Sequence, residues 1–143
     1  MRADRQRGLL DTNILIHGAR LPLVSLPREA AISAVTLAEL AAGVHAVRGA
    51  DQRAAAERAA RLALLQRAEH EFDALPFDAR AAREFGALFA AVGSSGRSPR
   101  SRTADLMIAA IAGANGLPLF TTDADDFAGL GAAIEVVEVP RPA

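Results

Sequence analysis

The segment Leu9-Leu10-Asp11-Thr12-Asn13-Ile14-Leu15-Ile16 decides the fold, because three polar residues separate its two apolar parts. Leu9-Leu10 predicts a short buried strand, and the Asp-Thr-Asn sequence that follows is typical of the start of a helix. In sheets of parallel strands, ligands bind beyond the carboxyl ends of the strands. We therefore expect Asp11 to lie where a side chain can serve a function.

Strands and helices alternate along the rest of the chain. Further short apolar segments predict strands at residues 30–33, 72–77, 118–121 and 134–139. Because helical patterns lie between most of these segments, the sequence predicts a single α/β domain. Its central, mostly parallel sheet would be flanked by helices in three layers (α/β/α).

The helices are predicted from apolar periodicity and from capping residues. One carries Leu37, Leu40 and Val44 on one face, begins at Ser33 or Thr36 and ends at Gly49. The others are expected over residues 54–70 after Asp51, after Asp78 through Phe89, and over residues 104–114 before Asn115-Gly116. Residues 93–101 are expected to form a basic, flexible loop.

Length and composition set broad limits. A chain of 143 residues is long enough to bury a core as one domain. The formal net charge of −1 gives no general attraction to nucleic acid, so such binding would need a local basic patch. No apolar run approaches the roughly 20 residues that span a bilayer, and residues 1–8 are too polar for a secretory signal. We therefore expect a cytoplasmic protein.

Residue types that the chain lacks exclude several kinds of chemistry. The absence of cysteine excludes disulfides, thiol nucleophiles and cysteine-based metal sites. All 16 basic residues are arginine, which excludes a lysine-containing phosphate loop and Schiff-base chemistry. Without Trp or Tyr, and with six Phe, an aromatic platform for stacking bases is not expected. Catalysis would have to use carboxylates, hydroxyls, histidine and arginine.

Five acidic residues stand at the ends of predicted elements or inside an apolar helix: Asp11, Glu39, Asp105, Asp123 and Asp126. Carboxylates in apolar surroundings are costly unless they are paired or bind a cation. The set therefore suggests a shared divalent-metal site. Oxygen ligands favour Mg²⁺ or Mn²⁺ over zinc or copper.

Other interpretations of the same residues are structural. Asp11 and Asp105 are each equally explained as helix caps, whereas Glu39, in an apolar stretch, needs a partner. An EF-hand is excluded because Phe127 stands where an oxygen ligand belongs. No two histidines have the spacing of a zinc site, and no Gly-x-Ser-x-Gly elbow supports a serine nucleophile.

Four segments carry the acids in order: 9–16, Ser33-Ala34-Val35-Thr36-Leu37-Ala38-Glu39-Leu40 with Gly43, Arg102-Thr103-Ala104-Asp105-Leu106-Met107-Ile108-Ala109-Ala110, and Thr121-Thr122-Asp123-Ala124-Asp125-Asp126-Phe127. Together they resemble the motifs of the PIN-domain family, and within it those of the VapC-type toxins of bacterial toxin–antitoxin pairs. The resemblance covers nearly the whole chain. It implies a PIN-like nuclease domain over residues 9–143 after a short N-terminal extension, residues 1–8.

The resemblance implies an endoribonuclease that depends on Mg²⁺ or Mn²⁺ and acts as a toxin. It places the catalytic and metal-binding roles on the five acids, with Thr12, Asn13 and Thr121 as hydrogen-bond partners of the carboxylates. Many family members carry Asn where Asp123 stands. The direct ligand is therefore either Asp123 or Asp126, and the extra charge of Asp123 favours two cations.

Binding of RNA beside an acidic site needs positive charge. Arg97, Arg100 and Arg102 flank Asp105 in the sequence and are the candidates for phosphate contacts, with a solvated loop as the alternative. The resemblance also implies a homodimer and a cognate antitoxin that lays a helix into an apolar groove. The candidate lining residues, which also fit an ordinary core, are Leu37, Leu40, Leu62, Leu64 and Leu65.

Two rival functions remain open at this level. A metal-dependent phosphatase on a similar sheet is disfavoured, because Asp11-Thr12-Asn13 is not the Asp-x-Asp of a phosphate-accepting aspartate and the chain has no lysine. A catalytically silent PIN-like module that binds RNA or a partner is disfavoured because all the acids are present.

Overall fold

The structure is a computed structural model, and it describes residues 6–94, 102–130 and 133–143. These ranges contain five strands and five α-helices. The strands are β1 (Arg7–Leu10), β2 (Glu29–Ser33), β3 (Ala74–Leu75), β4 (Leu119–Thr121) and β5 (Val136–Glu138). The helices are α1 (Thr12–His17), α2 (Ala34–His45), α3 (Gln52–Glu71), α4 (Ala79–Ser94) and α5 (Thr103–Ala114).

The strands form one sheet in the order β3-β2-β1-β4-β5, and every neighbouring pair is parallel. β1 lies at the centre, where Leu9 pairs with Ala31 of β2 and with Leu119 of β4. The carboxyl ends of β1, β2 and β4 therefore meet at one edge of the sheet, and the segments after them begin side by side.

Alternation of side chains along the central strands divides the core into two layers. Leu9 and Leu119 face one side, where they pack with buried residues of α4 and α5. Leu10 and Phe120 face the other side and pack with α1, α2 and α3. The three-layer α/β/α arrangement predicted from the sequence is confirmed.

Helix α2 ends earlier than predicted. It stops at His45, and Gly49 lies in the following connection with a positive φ of 99°. Arg58 of α3 holds that connection by donating hydrogen bonds to the carbonyl oxygens of Val47 and Gly49. The prediction that Gly49 ends the helix was wrong, since its left-handed backbone shapes the turn rather than the helix end.

Other boundaries differ by smaller amounts. The strand predicted over residues 72–77 is reduced to the two residues of β3. Helix α4 continues through Gly93, so the predicted loop starts later, and residues 95–101 lie outside the described residues. The predicted caps Asp51 and Asp78 accept hydrogen bonds from the N–H groups of Ala54 and Ala81. No helix in the described ranges combines the length and apolarity that crossing a membrane requires.

Candidate active site

Asp11 occupies the carboxyl end of the central strand and is the N-cap of α1. Its Oδ1 accepts a hydrogen bond from the backbone N–H of Thr12 at 2.9 Å, and its Oδ2 accepts one from the hydroxyl of Thr121 at 2.8 Å. The residue is only 4% exposed, and each of its buried carboxylate oxygens therefore has a hydrogen-bond donor. Burial still raises the pKa of Asp11, with further contributions from the charges of Glu39 and Asp126.

Glu39 reaches the same edge from the second turn of α2. Thr12 donates a hydrogen bond from its hydroxyl to Glu39 Oε1 at 2.6 Å, and the same hydroxyl lies 2.9 Å from the hydroxyl of the buried Thr36. Glu39 itself is exposed, contrary to the expectation of a glutamate inside apolar packing. The partner that the sequence required is therefore Thr12, and the free face of the carboxylate points to solvent.

Asp105 lies in the first turn of α5 and completes the acidic cluster. Desolvation raises its pKa to about 6, and the negative charges of Asp11, Asp126 and Glu39 add to that rise. Arg102 acts in the opposite direction. Each of these carboxylates is thus close enough to Asp105 to oppose its ionisation.

Asp123 and Asp126 follow β4 but have different surroundings. Asp126 Oδ1 lies 3.5 Å from a guanidinium nitrogen of Arg102, which also donates to the backbone carbonyl of Asp126. Asp123 accepts hydrogen bonds from Asn13, Thr122 and the guanidinium of Arg141. The charge of Asp126, unlike that of Asp123, contributes to the raised pKa of both Asp11 and Asp105.

The three predicted hydrogen-bond partners all contact carboxylates. Thr12 contacts Asp11 and Glu39, Asn13 contacts Asp123, and Thr121 contacts Asp11. Sequence reasoning missed Thr36, which supports Thr12, and Arg141, which binds Asp123. Arg141 is remote in the sequence from every motif, so no spacing signal pointed to it. Arg97 and Arg100 lie outside the described residues.

A groove of about 540 Å³ opens beside the acids, between α1, α2 and α3. Acidic and polar residues form one part of its lining and apolar residues another: Asp11, Thr12, Asn13, Glu39, Glu57, Arg61 and Asp105, then Ile16, Leu40, Gly43, Ala60 and Leu64. Of the leucines expected in an apolar groove, Leu40 and Leu64 line it. Leu37 and Leu65 pack against the core, and Leu62 is 42% exposed.

The donor set suits a hard divalent cation, because it consists of carboxylate oxygens that repel one another. Within the part of the chain that the structure describes, no three acidic or histidine side chains form a ready-made metal-binding group. A cation would therefore require side-chain rotation that draws the carboxylates together. Besides burial, which is the main cause, the negative charges of the neighbouring carboxylates raise the pKa of Asp105, and a bound cation would neutralise that charge.

An all-parallel sheet with acidic residues gathered at the carboxyl ends of its central strands is the arrangement expected from the resemblance to the PIN-domain family. The chain belongs to the PIN-domain family, whose sequence model matches residues 8–132. Nucleases of this family related to VapC are generally dependent on a divalent metal ion.

Particular relatives match nearly end to end. The protein named Ribonuclease VapC5 from Mycobacterium tuberculosis is 40% identical over 137 residues, which cover 92% of this chain and 95% of that protein. A crystal structure of VapBC-5, a member of the VapBC family of toxin–antitoxin systems from the same organism, superposes with a TM-score of 0.79 at 40% identity. That match covers 94% of this chain and 99% of the matched chain. DNA-bound VapBC from Salmonella typhimurium matches with a TM-score of 0.67 at 25% identity, covering 91% and 96%.

Proposed function

We propose that this protein is a divalent-metal-dependent endoribonuclease that acts as the toxin of a toxin–antitoxin pair. The observation that carries the proposal is the gathering of Asp11, Glu39 and Asp105 at one end of a groove, with Asp126 near enough for its charge to act on Asp11 and Asp105. The 40% identity to a protein named as a ribonuclease, over most of both chains, supports the choice of RNA as the substrate.

Asp11, Glu39, Asp105 and Asp126 would hold the cation, for which Mg²⁺ and Mn²⁺ are the candidates given the oxygen ligands. When bound, the ion lowers the pKa of a water molecule and neutralises charge that develops on the phosphate. Asp123 is assigned a different role, because Asn13, Thr122 and Arg141 already occupy its oxygens.

The protein's own residues would orient the carboxylates and move a proton. Thr121 and the Thr12 N–H hold Asp11 in one orientation, and the Thr12 hydroxyl does the same for Glu39. Glu39 is exposed at the groove, so the oxygen that Thr12 does not contact would bind the cation or, as the alternative, accept the proton of an attacking water. The hydrogen bond from Thr12 would keep that oxygen aimed into the groove.

Positive charge for the RNA backbone would come from arginines around the acids. Arg102 is held against Asp126, so its guanidinium lies at the border of the site. Arg61 lines the groove while donating to the carbonyl of Gly43 at 2.8 Å. Arg97 and Arg100 remain predicted phosphate contacts. A cytoplasmic location is proposed together with the RNA substrate.

The apolar part of the groove is assigned to a cognate antitoxin. Ile16 is 51% exposed beside Leu40, Ala60 and Leu64, which gives a helix from a partner an apolar surface next to the acids. The similar solved structures support this assignment, because they are described as VapBC, a family of toxin–antitoxin systems. A homodimer is proposed as the state of the free toxin.

The test is cleavage of a panel of structured RNAs by the purified, antitoxin-free protein, with EDTA, Mg²⁺ or Mn²⁺. We expect cuts that require the cation and that disappear in both Asp11→Asn and Asp105→Asn. Asp73→Asn is the matched control, since Asp73 is exposed and does not line the acidic groove. Binding of RNA without any cleavage under all conditions would instead indicate a silent RNA-binding module.

A further inference from the structure

The C-terminal segment places an arginine on the acidic edge of the sheet. Val139 is fully buried, and its N–H donates to the carbonyl of Thr121 at 2.8 Å, which anchors the chain beside β4. Two residues later, the guanidinium of Arg141 forms an ion pair with Asp123. Its Nε also donates to the carbonyl of Thr122 at 3.4 Å. Arg141 thus follows an anchored residue and is itself held by its guanidinium group.

Asp123 needs such a counter-charge because of where it lies. Its side chain is only 13% exposed, whereas that of Arg141 is 67% exposed and remains open to solvent. Exposed ion pairs contribute little, but a largely buried carboxylate left without a cation is costly. The ion pair therefore matters mainly for the state of Asp123.

Asp123 is also connected to Asp11 through a short chain of hydrogen bonds. The N–H of Asp123 donates to the hydroxyl oxygen of Thr121 at 3.0 Å, and that hydroxyl donates to Asp11 Oδ2 at 2.8 Å. Asn13, two residues beyond Asp11, donates to the Asp123 carboxylate. Asp123 is thus one hydrogen-bonded residue away from Asp11.

The surroundings of Arg141 are strongly acidic. A hollow of about 450 Å³ is lined by Thr122, Asp123, Ala124, Asp125, Asp126, Glu138 and Arg141. Arg141 is the one basic residue in this lining, against four acidic residues, in the part of the chain that the structure describes. Loss of Arg141 would therefore leave only acidic residues among the charged residues of this lining.

We propose that Arg141 is a positioning residue that neutralises Asp123 and keeps its carboxylate out of the set of groups that bind the cation. The proposal rests on the proposed metal-dependent function. In this proposal Asp126 is the fourth acidic ligand of the cation, beside Asp11, Glu39 and Asp105. The Asp123–Arg141 ion pair lies beside the site without adding net charge to it. The pair thereby sets the charge that an incoming divalent cation meets.

The test is a calorimetric titration of the metal-free protein with Mn²⁺, in the absence of RNA and antitoxin. Arg141→Met adds one uncompensated negative charge, so we expect Mn²⁺ to bind about three- to tenfold more tightly, or a further ion to bind. Asp123→Asn leaves Arg141 unpaired and weakens binding by a similar factor. The double variant, with both charges removed, returns to the wild-type affinity, and Arg141→Lys stays close to it.

Arg80→Met is the matched control, because Arg80 pairs with Asp78 at 3.9 Å at the start of α4 and should not change Mn²⁺ affinity. Weaker or unchanged Mn²⁺ binding by Arg141→Met would overturn the proposal, since a mere structural tie can only loosen the site. A double variant that binds Mn²⁺ as tightly as Arg141→Met alone would also overturn it, since the gain would then not depend on the charge of Asp123. If the wild type binds no Mn²⁺, the proposed function fails together with this inference; if only the Arg141 variants disagree, the proposed function stands.

Discussion

Thr121 donates a hydrogen bond through its hydroxyl to Oδ2 of Asp11 at 2.8 Å, which joins the end of β4 to the end of the central strand. The two residues are 110 positions apart in the sequence, and both are buried. This bond lowers the pKa of Asp11 against the larger effect of burial. Parallel pairing of β1 with β4 is what brings the hydroxyl to the carboxylate.

Thr121→Val should lower both stability and activity. The substitution keeps the shape of the side chain but leaves a buried Asp11 oxygen without its donor, at a cost of about 1–3 kcal/mol in the free energy of unfolding. Cleavage should fall about ten- to a hundredfold, as for other groups that orient metal ligands. Urea denaturation and cleavage rates measure the two effects. Thr121→Ser retains the hydroxyl and should behave like the wild type; equal losses in both variants would contradict the assigned role.

Asp105→Asn should stabilise the metal-free protein at neutral pH. The folded-state pKa of about 6 lies above the ordinary aspartate pKa of 3.8, so the folded protein binds the proton more tightly than the unfolded chain. The stability of the wild type should therefore fall as pH rises from about 4 to about 6 and stay low above that. The melting temperature in EDTA should be higher for Asp105→Asn than for wild type at pH 8, with the difference shrinking towards pH 4.

Addition of Mn²⁺ should reverse that order. Neutralisation of the carboxylates raises the melting temperature of the wild type, whereas the variant lacks one ligand and gains less. A variant that is less stable than the wild type in EDTA at pH 8 would show that Asp105 stabilises the fold rather than opposing it.

Ile16→Asp should weaken binding of the cognate antitoxin. Ile16 is half exposed on the apolar part of the groove, and a charge there would remain buried and unpaired beneath a partner helix. We expect the dissociation constant to rise about tenfold or more in calorimetric titration with the antitoxin. Val24→Asp is the control, since Val24 is exposed but does not line the groove. An equal loss in both variants would place the antitoxin elsewhere.

Gly8→Ala and Gly86→Ala should change stability in opposite directions. A methyl group on Gly8 of β1 would lie 2.3 Å from the buried ring of Phe120, so the core must shift at a cost of about 1–3 kcal/mol. Gly86 lies on the exposed side of α4 with open space around it, so alanine should stabilise by roughly 0.4–1 kcal/mol. Chemical denaturation measures both; a neutral Gly8→Ala would contradict the close approach of β1 to Phe120.

The sequence was sufficient for the layers and for the group of acids, because both depend on local patterns. Leu9-Leu10 before Asp11 predicted the central strand, and the capping residues Ser33 and Asp51 predicted the starts of α2 and α3. Each of these signals lies within a few residues of the feature that it determines.

Features that depend on tertiary contacts could not be predicted from the sequence. The sequence places Glu39 inside apolar packing, but the residue is exposed, and its partner Thr12 belongs to another helix. Likewise, Asp123 and Asp126 looked equivalent in one short segment. Their surroundings differ because each contacts a different arginine. Arg141, from the segment after β5, binds Asp123, whereas Arg102, the residue before α5, lies against Asp126.

The central claim is that the carboxylates gathered at the end of β1 cleave RNA with a divalent cation. Its most direct test is the Mn²⁺-dependent rate of RNA cleavage by Glu39→Gln beside that by Glu57→Gln. Both glutamates line the groove, but only Glu39 interacts with Asp11 and Asp105, whereas Glu57 pairs with Arg61. We predict a loss of about a hundredfold or more for Glu39→Gln and a rate near that of the wild type for Glu57→Gln. Full activity of Glu39→Gln, or cleavage that persists in EDTA, would contradict the account.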